Sequence, residues 1–152
     1  MAFKLSQRSL GRLDGVKNEL HSVVTTAIGL SNIDFGVTSG LRTQKEQEDL
    51  VARGASQSLK SKHLTGDAVD VVAYIGSRIS WELNLYDDIA DAFKEASIKE
   101  GVSIRWGASW HIPQFDKWEG TAEEAMMAYI DLRRSEGRRP FIDAVHFELV
   151  ST

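Results

Sequence analysis

The ten residues Ser61-Lys62-His63-Leu64-Thr65-Gly66-Asp67-Ala68-Val69-Asp70 put a histidine ahead of a glycine and an aspartate inside the segment that follows. From Ala68 to Tyr74 the chain is rich in β-formers and reads as a strand. Side chains alternate along a strand, so Asp70 shares a face with Ala68 and Val72, while Val69 and Val71 face the core. A carboxylate in an apolar strand is costly unless it is paired or bound to a metal. Gly66 permits the turn that would bring His63 back beside Asp70. Alone, this spacing fits either a metal site or a capped loop with a salt-bridged aspartate.

Further along, Asp143-Ala144-Val145-His146-Phe147-Glu148-Leu149 reads as the approach to a last strand, Val145 to Val150. Val145, Phe147 and Leu149 claim one face, leaving His146 and Glu148 on the other. Asp143 lies just before the strand, where the backbone can aim it independently. Alone, this too fits an edge strand with a polar outer face. Together, two imidazoles and one carboxylate suit a zinc ion with a fourth position left for water. The candidate ligands are His63, Asp70 and His146. Asp143 is the candidate base for that water. Glu148, on the strand face of His146, is the alternative base or a supporting partner of the ligand.

A third stretch, Thr38-Ser39-Gly40-Leu41-Arg42-Thr43, joins a strand (Asp34 to Ser39) to a helix start. Arg42 offers a planar, permanently charged fork for a carboxylate or a developing oxyanion. It could equally pair with Glu46 at helical spacing.

Outward from these segments, Leu10, Leu13, Val16, Leu20, Val23, Val24, Ala27 and Ile28 recur at helical steps and predict one amphipathic helix ending near Gly29. Thr43 with Glu46, and Thr121 with Glu124, are capping boxes that open helices to about Ala52 and Arg134. Gly54 to Lys62 reads as a polar loop, Leu85 to Ile98 as a helix, Val102 to Trp106 as a strand and Gly107 to Gly120 as a loop. Short strands with irregular crossovers favour α+β, a small and largely antiparallel sheet flanked by helices, over a doubly wound parallel sheet.

The chain has 152 residues, no cysteine and a formal charge of −4. That length suits one domain with a core of its own. The lack of cysteine excludes disulfide scaffolds and cysteine-ligated zinc fingers. The acidic balance argues against a nucleic-acid binder. No apolar run approaches the ~18 residues of a membrane span, and the first ten residues do not read as a secretory signal.

The residues also carry a resemblance. Ser61-x-His63-x-x-Gly66-x-Ala68-x-Asp70 resembles the first metal motif of the VanX/VanY-type zinc D,D-peptidases. Asp143-x-x-His146 resembles their second. Ser39-Gly40-x-Arg42-Thr43, with Gln47 five residues after the arginine, resembles a third element. The three come in family order. The opening (Phe3, Lys4, Ser6, Ser9), Arg105-Trp106-Gly107-Ala108-x-Trp110 and the ending His146-Phe147-Glu148-Leu149-Val150 are most similar to the phage endolysin branch, the L-alanyl-D-glutamate peptidases.

That resemblance implies the Hedgehog/D,D-peptidase fold, one Zn2+ ion and hydrolysis of the L-Ala–D-Glu bond of the peptidoglycan stem peptide. It implies His63, Asp70 and His146 as zinc ligands, Asp143 as acid/base and Arg42 as the group polarising the scissile carbonyl. Ser61, Gln47 and Trp106 match positions near the substrate. Many relatives have Glu where this chain has Asp143; the endolysin branch commonly has Asp.

Residues 1–152 are expected to form a single catalytic domain with an insertion at about 111–140, ending in an arginine-rich run (Arg133, Arg134, Arg138, Arg139), and no separate wall-binding module. The expected setting is a monomer made in the host cytoplasm, released through a holin and acting on peptidoglycan in the periplasm. Two alternatives share the fold: a D,D-carboxypeptidase, and a metal-stabilised binding module without catalysis.

Overall fold

The computed structural model describes residues 2–56 and 60–150. Its helices are α1 (Gln7–Arg12), α2 (Asn18–Leu30), α3 (Gln44–Ala52), α4 (Leu83–Glu100) and α5 (Ala122–Ser135). Its strands are β1 (Asp34–Ser39), β2 (Ala68–Ile75), β3 (Arg78–Ser80), β4 (Ile104–Trp106) and β5 (His146–Leu149). The strands form one five-stranded sheet in the order β1-β2-β5-β4, with β3 pairing β2. Every pairing is antiparallel, so the expected α+β class and antiparallel sheet stand.

One face of the sheet carries the core. Val69, Val71 and Ala73 of β2 and Phe147 and Leu149 of β5 pack with Leu20, Val23, Val24 and Ala27 of α2 and with Ile89, Ala90 and Phe93 of α4. Phe93 stacks on Phe147 at a centroid distance of 3.9 Å, pressing α4 against the centre of the sheet. Period-two alternation then commits Asp70, His146 and Glu148 to the opposite face. Register does the rest: Asp70 sits directly across from His146, and Ala68 from Glu148. On its other side Asp70 pairs with Ser39, beside a bulge in β1. Two chemistry-bearing segments 76 residues apart thus meet side by side.

Both expected capping boxes form, at Thr43/Glu46 and Thr121/Glu124. Three expectations need correction. The single first helix is two, broken at Gly15, whose φ of +81° no helix accommodates. The apolar spacing runs on across the break because Leu13, Val16 and Leu20 all reach the core. The loop expected from Gly54 to Lys62 runs into a 3-10 turn, Lys62–Thr65; residues 57–59 of that loop lie outside the described residues. Strand β3 was also missed, although Gly76-Ser77 between Ile75 and Arg78 is a hairpin turn signal. The segment 111–140 contains α5, which packs against α4.

Candidate metal centre

His63 arrives from the 3-10 turn. Ser61 caps that turn, its hydroxyl accepting the His63 backbone N–H at 3.2 Å. Gly66 ends it at φ +75°, where a Cβ would stand 2.4 Å from the Gly15 carbonyl oxygen. The His63 ring is 1 % exposed. Its Nδ1 lies 2.8 Å from the Gly40 carbonyl, which can only accept, so Nδ1 carries the proton. Nε2 is left with its lone pair towards Asp70 and, among the described residues, no hydrogen-bond partner.

His146 is arranged the other way round. Its Nε2 lies 2.8 Å from Glu148 Oε1 and its Nδ1 3.1 Å from Asp70 Oδ1. His63 Nε2 is 3.3 Å from that same oxygen. These three residues form the one group of possible metal ligands among the described residues, their donor atoms all within 4.8 Å of one another. Two donors bound tetrahedrally at about 2.0–2.1 Å from zinc stand about 3.3 Å apart. The donor set, the spacing and the unpartnered buried His63 Nε2 therefore all fit a zinc ion.

The carboxylates around this point have different environments. Burial would raise Asp70, but the imidazoles of His146 and His63 hold it well below the usual carboxylate range. Burial would lower His146, yet Asp70, Glu148 and Asp143 bring it up to about 9. Burial would likewise raise Glu148, and His146 and Lys62 hold it down. Asp143 is raised, first by burial and then by the charge of Asp70. Its side chain faces the cleft beside His63, Asp70 and His146.

The Asp143–His146 turn is clamped from behind. Asp143 N–H donates to Gly107 O at 2.8 Å, Gly107 N–H to His146 O at 2.9 Å and Trp106 Nε1–H to Ala144 O at 2.9 Å. Contact is so close that a Cβ on Gly107 would lie 2.2 Å from Asp143 O.

Arg42 uses three separate N–H groups. Nε donates to Ser39 Oγ at 3.0 Å, Nη1 to Gln47 Oε1 at 3.1 Å and Nη2 to Asp70 Oδ2 at 2.9 Å. Gln47 is wholly buried and donates in turn to Ser56 Oγ. It therefore orients Arg42 and has no surface for substrate. The alternative pairing of Arg42 with Glu46 is replaced by these contacts, Glu46 being engaged in its capping box.

Ser61 does line the cleft. Trp106 does not: it is wholly buried, and the expectation of a substrate contact there fails on that placement. Its strand position already implied this, since alternation puts it on the face of Ile104, also wholly buried. The aromatic at the site is Trp110, whose ring lies 5.6 Å from that of His146 and is stacked with Phe141 at 6.3 Å. Arg105 covers the Trp110 ring at 5.3 Å, and Phe141 N–H donates to Tyr129 Oη of α5 at 3.1 Å. Sequence reasoning also passed over Lys62, whose Nζ is 3.3 Å from Glu148 Oε2.

The cleft holding the triad has a volume of about 470 Å³, and Trp110, Phe141, Lys60, Ser61 and Lys62 are among the residues that line it. A second cleft of about 640 Å³ shares Arg42 and Asp70 with it and runs on past Arg12, Glu46 and Arg53. The triad thus lies in a trough that the second cleft adjoins at Arg42 and Asp70.

The chain is similar to several known proteins. The family described as phage L-alanyl-D-glutamate peptidase matches residues 1–150. The L-alanyl-D-glutamate peptidase of Escherichia phage T5 is 37% identical over 115 residues, covering 73% of this chain and 84% of that protein. The enzyme of the same name from Listeria phage A118 is 29% identical over 80 residues, 53% of this chain and 27% of its own. Among solved structures, the Serratia marcescens L-Ala D-Glu endopeptidase ChiX is similar with a TM-score of 0.69 and 32% identity, covering 97% of this chain and 90% of that one.

Proposed function

This chain belongs to the phage L-alanyl-D-glutamate peptidase family, and on that premise we propose that it is a zinc endolysin cutting the L-Ala–D-Glu bond of peptidoglycan. The observation that carries the proposal is the meeting of His63, Asp70 and His146 beside Asp143 in an open trough.

In this reading His63 Nε2, Asp70 Oδ1 and His146 Nδ1 hold the ion. Bound there, zinc supplies Lewis acidity towards water and the scissile carbonyl. Asp143 is the base. Its carboxylate makes no hydrogen bond or ion pair among the described residues, so it can take the proton of an attacking water and return it to the D-Glu amine as that leaves. Burial lifts its pKa towards the working range of a general base. Arg42 holds Asp70 and turns its fork towards the same cleft, where it can also meet the oxyanion. Ser61, Trp110 and Phe141, which line the cleft, position the stem peptide.

Two alternatives are less well supported. A carboxypeptidase needs its pocket closed just beyond one residue, whereas the trough runs on past Arg42. A pure binding module has no use for a raised carboxylate beside the ligands. The reading includes a route: synthesis in the host cytoplasm, passage through a holin, and action in the periplasm as a monomer. No helix among the described residues is long and apolar enough to cross a membrane.

Digestion of purified Gram-negative peptidoglycan, with and without a chelator, tests the proposal by mass spectrometry. A chelator-sensitive product with a new D-Glu amine is expected. Loss of terminal D-Ala would transfer the site to the carboxypeptidase reaction. Absence of any product from folded, zinc-loaded protein would sink the catalytic reading.

A further inference from the structure

Each buried carboxylate on the sheet face opposite the core uses its two oxygens differently. Asp70 turns Oδ1 to the imidazoles and Oδ2 to Arg42. Glu148 turns Oε1 to His146 Nε2, at 2.8 Å, and Oε2 to Lys62 Nζ, at 3.3 Å. Glu148 is only 7% exposed. Lys62 Nζ also donates to Leu149 O at 2.5 Å, which pins the lysine to the end of β5. Ser61 caps the 3-10 turn, Lys62 reaches over to β5, and His63 enters the triad.

We propose that Glu148 and Lys62 are positioning residues for the His146 ligand: Glu148 fixes the imidazole with Nδ1 facing the metal position, and Lys62 holds Glu148 in place. The two histidines need this differently. His63 is held by the Gly40 carbonyl, a neutral acceptor that is part of the backbone. His146 depends on a side chain two residues away in its own strand, and that side chain depends on a lysine from another element. Because Lys62 and His63 are consecutive, one turn sets both the first ligand and the orientation of the second. The geometry also gives Glu148 a task incompatible with acting as the base. Its Oε1 is committed to the imidazole nitrogen that points away from Asp70.

This inference rests on the zinc reading above, so wild-type affinity is measured first, by competition with a chromophoric chelator. If the wild-type chain binds no zinc, that reading falls. If it does, Glu148→Ala should raise the zinc Kd by about 10- to 100-fold, the usual cost of losing such a partner. Glu148→Gln, which keeps an acceptor oxygen, should recover part of the loss. Lys62→Met should shift Kd in the same direction by a smaller factor. The zinc concentration for half-maximal activity should move in parallel. A second readout needs no metal: nitrogen-15 NMR of the His146 ring above its pKa should report the proton on Nε2 in wild type and a tautomer mixture in Glu148→Ala. Lys62→Met with wild-type Kd would overturn the part given to Lys62, and Glu148→Ala with wild-type Kd and an unchanged tautomer would overturn the proposal. So would a collapse of kcat in Glu148→Gln with zinc affinity intact, which would return Glu148 to the chemistry.

Discussion

Arg42 Nη2 stands 2.9 Å from Asp70 Oδ2, the oxygen that the two imidazoles leave unused. Both side chains are 15% exposed, so the pair is largely withdrawn from water. Removing one member of a buried pair leaves an uncompensated charge and costs about 3–5 kcal/mol. Arg42→Ala should therefore lower the stability of the metal-free protein by roughly that amount, read by urea unfolding in chelator. Arg42→Lys should not restore it, because one ammonium cannot span Ser39, Gln47 and Asp70 as the guanidinium does. Equal stability of the lysine variant and wild type would show that the fork is not needed.

Asp143 is the test of the chemistry itself. Asp143→Asn preserves size and should leave zinc affinity within a fewfold of wild type. It should lower kcat by about 10²- to 10⁴-fold, the usual contribution of a general base. Burial raises the Asp143 pKa, so in the wild-type enzyme the acid limb of kcat/KM should lie above ~3.9, the ordinary value for Asp. Activity falls as pH drops through that limb because the base becomes protonated. An asparagine variant with near-normal turnover would remove Asp143 from its role.

His146 links metal affinity to pH. In the metal-free protein it is protonated up to about 9, and coordination through Nδ1 requires that proton to leave. Apparent zinc affinity should thus rise by up to about tenfold per pH unit between pH 7 and 9, and level off above. The metal-free fold should behave oppositely. A histidine with a raised pKa stabilises fully below its unfolded value of ~6.5 and loses that contribution as pH rises through the folded value. Calorimetry in buffers of different ionisation enthalpy should register release of at least one proton per zinc at pH 7. No proton release would contradict the assigned ligand.

The candidate ligands were legible because their constraint is local. A polar residue in an otherwise apolar strand announces its face, and Asp70 and His146 then need only a shared register, which the apolar partners Val69 and Phe147 enforce from the other side. What could not be read were contacts between segments. Nothing near Arg42 in sequence says that Asp70 rather than Glu46 accepts from it, and Lys62 finds Glu148 only because the 3-10 turn lies across the end of β5. Trp106 is different: alternation from Ile104 already turns it to the core. The helix break at Gly15 was hidden because the apolar stripe continues through it.

Gly107 tests how tightly the proposed base and ligand, Asp143 and His146, are tied. A Cβ there would lie 2.2 Å from Asp143 O and 3.0 Å from His146 Cβ, neither of which is a flexible side-chain end. Gly107→Ala should lose about 1–3 kcal/mol, as overpacking does. It should also weaken zinc binding, because His146 and Asp143 must move with the turn. Unchanged zinc affinity in a folded Gly107→Ala variant would mean that the turn yields without disturbing the ligand.

A last prediction concerns a carboxylate outside the site. Asp87 on α4 is 6% exposed, and its Oδ1 has no hydrogen-bond partner among the described residues. Burial, with the charges of Glu123, Asp91 and Asp88, raises it to about 6. An acid whose folded pKa lies above its unfolded value binds its proton more tightly when folded. Stability therefore declines as pH rises from ~4 to about 6 and stays lower above that window. Asp87→Asn removes the charge and keeps the shape, so it should raise Tm at pH 7 and make no difference below pH ~4. Because Asp87 is far in sequence from the triad and shares no hydrogen bond with it, peptidase activity should follow stability alone. An asparagine variant no more stable than wild type at pH 7 would show that solvent or a local shift already relieves the buried charge.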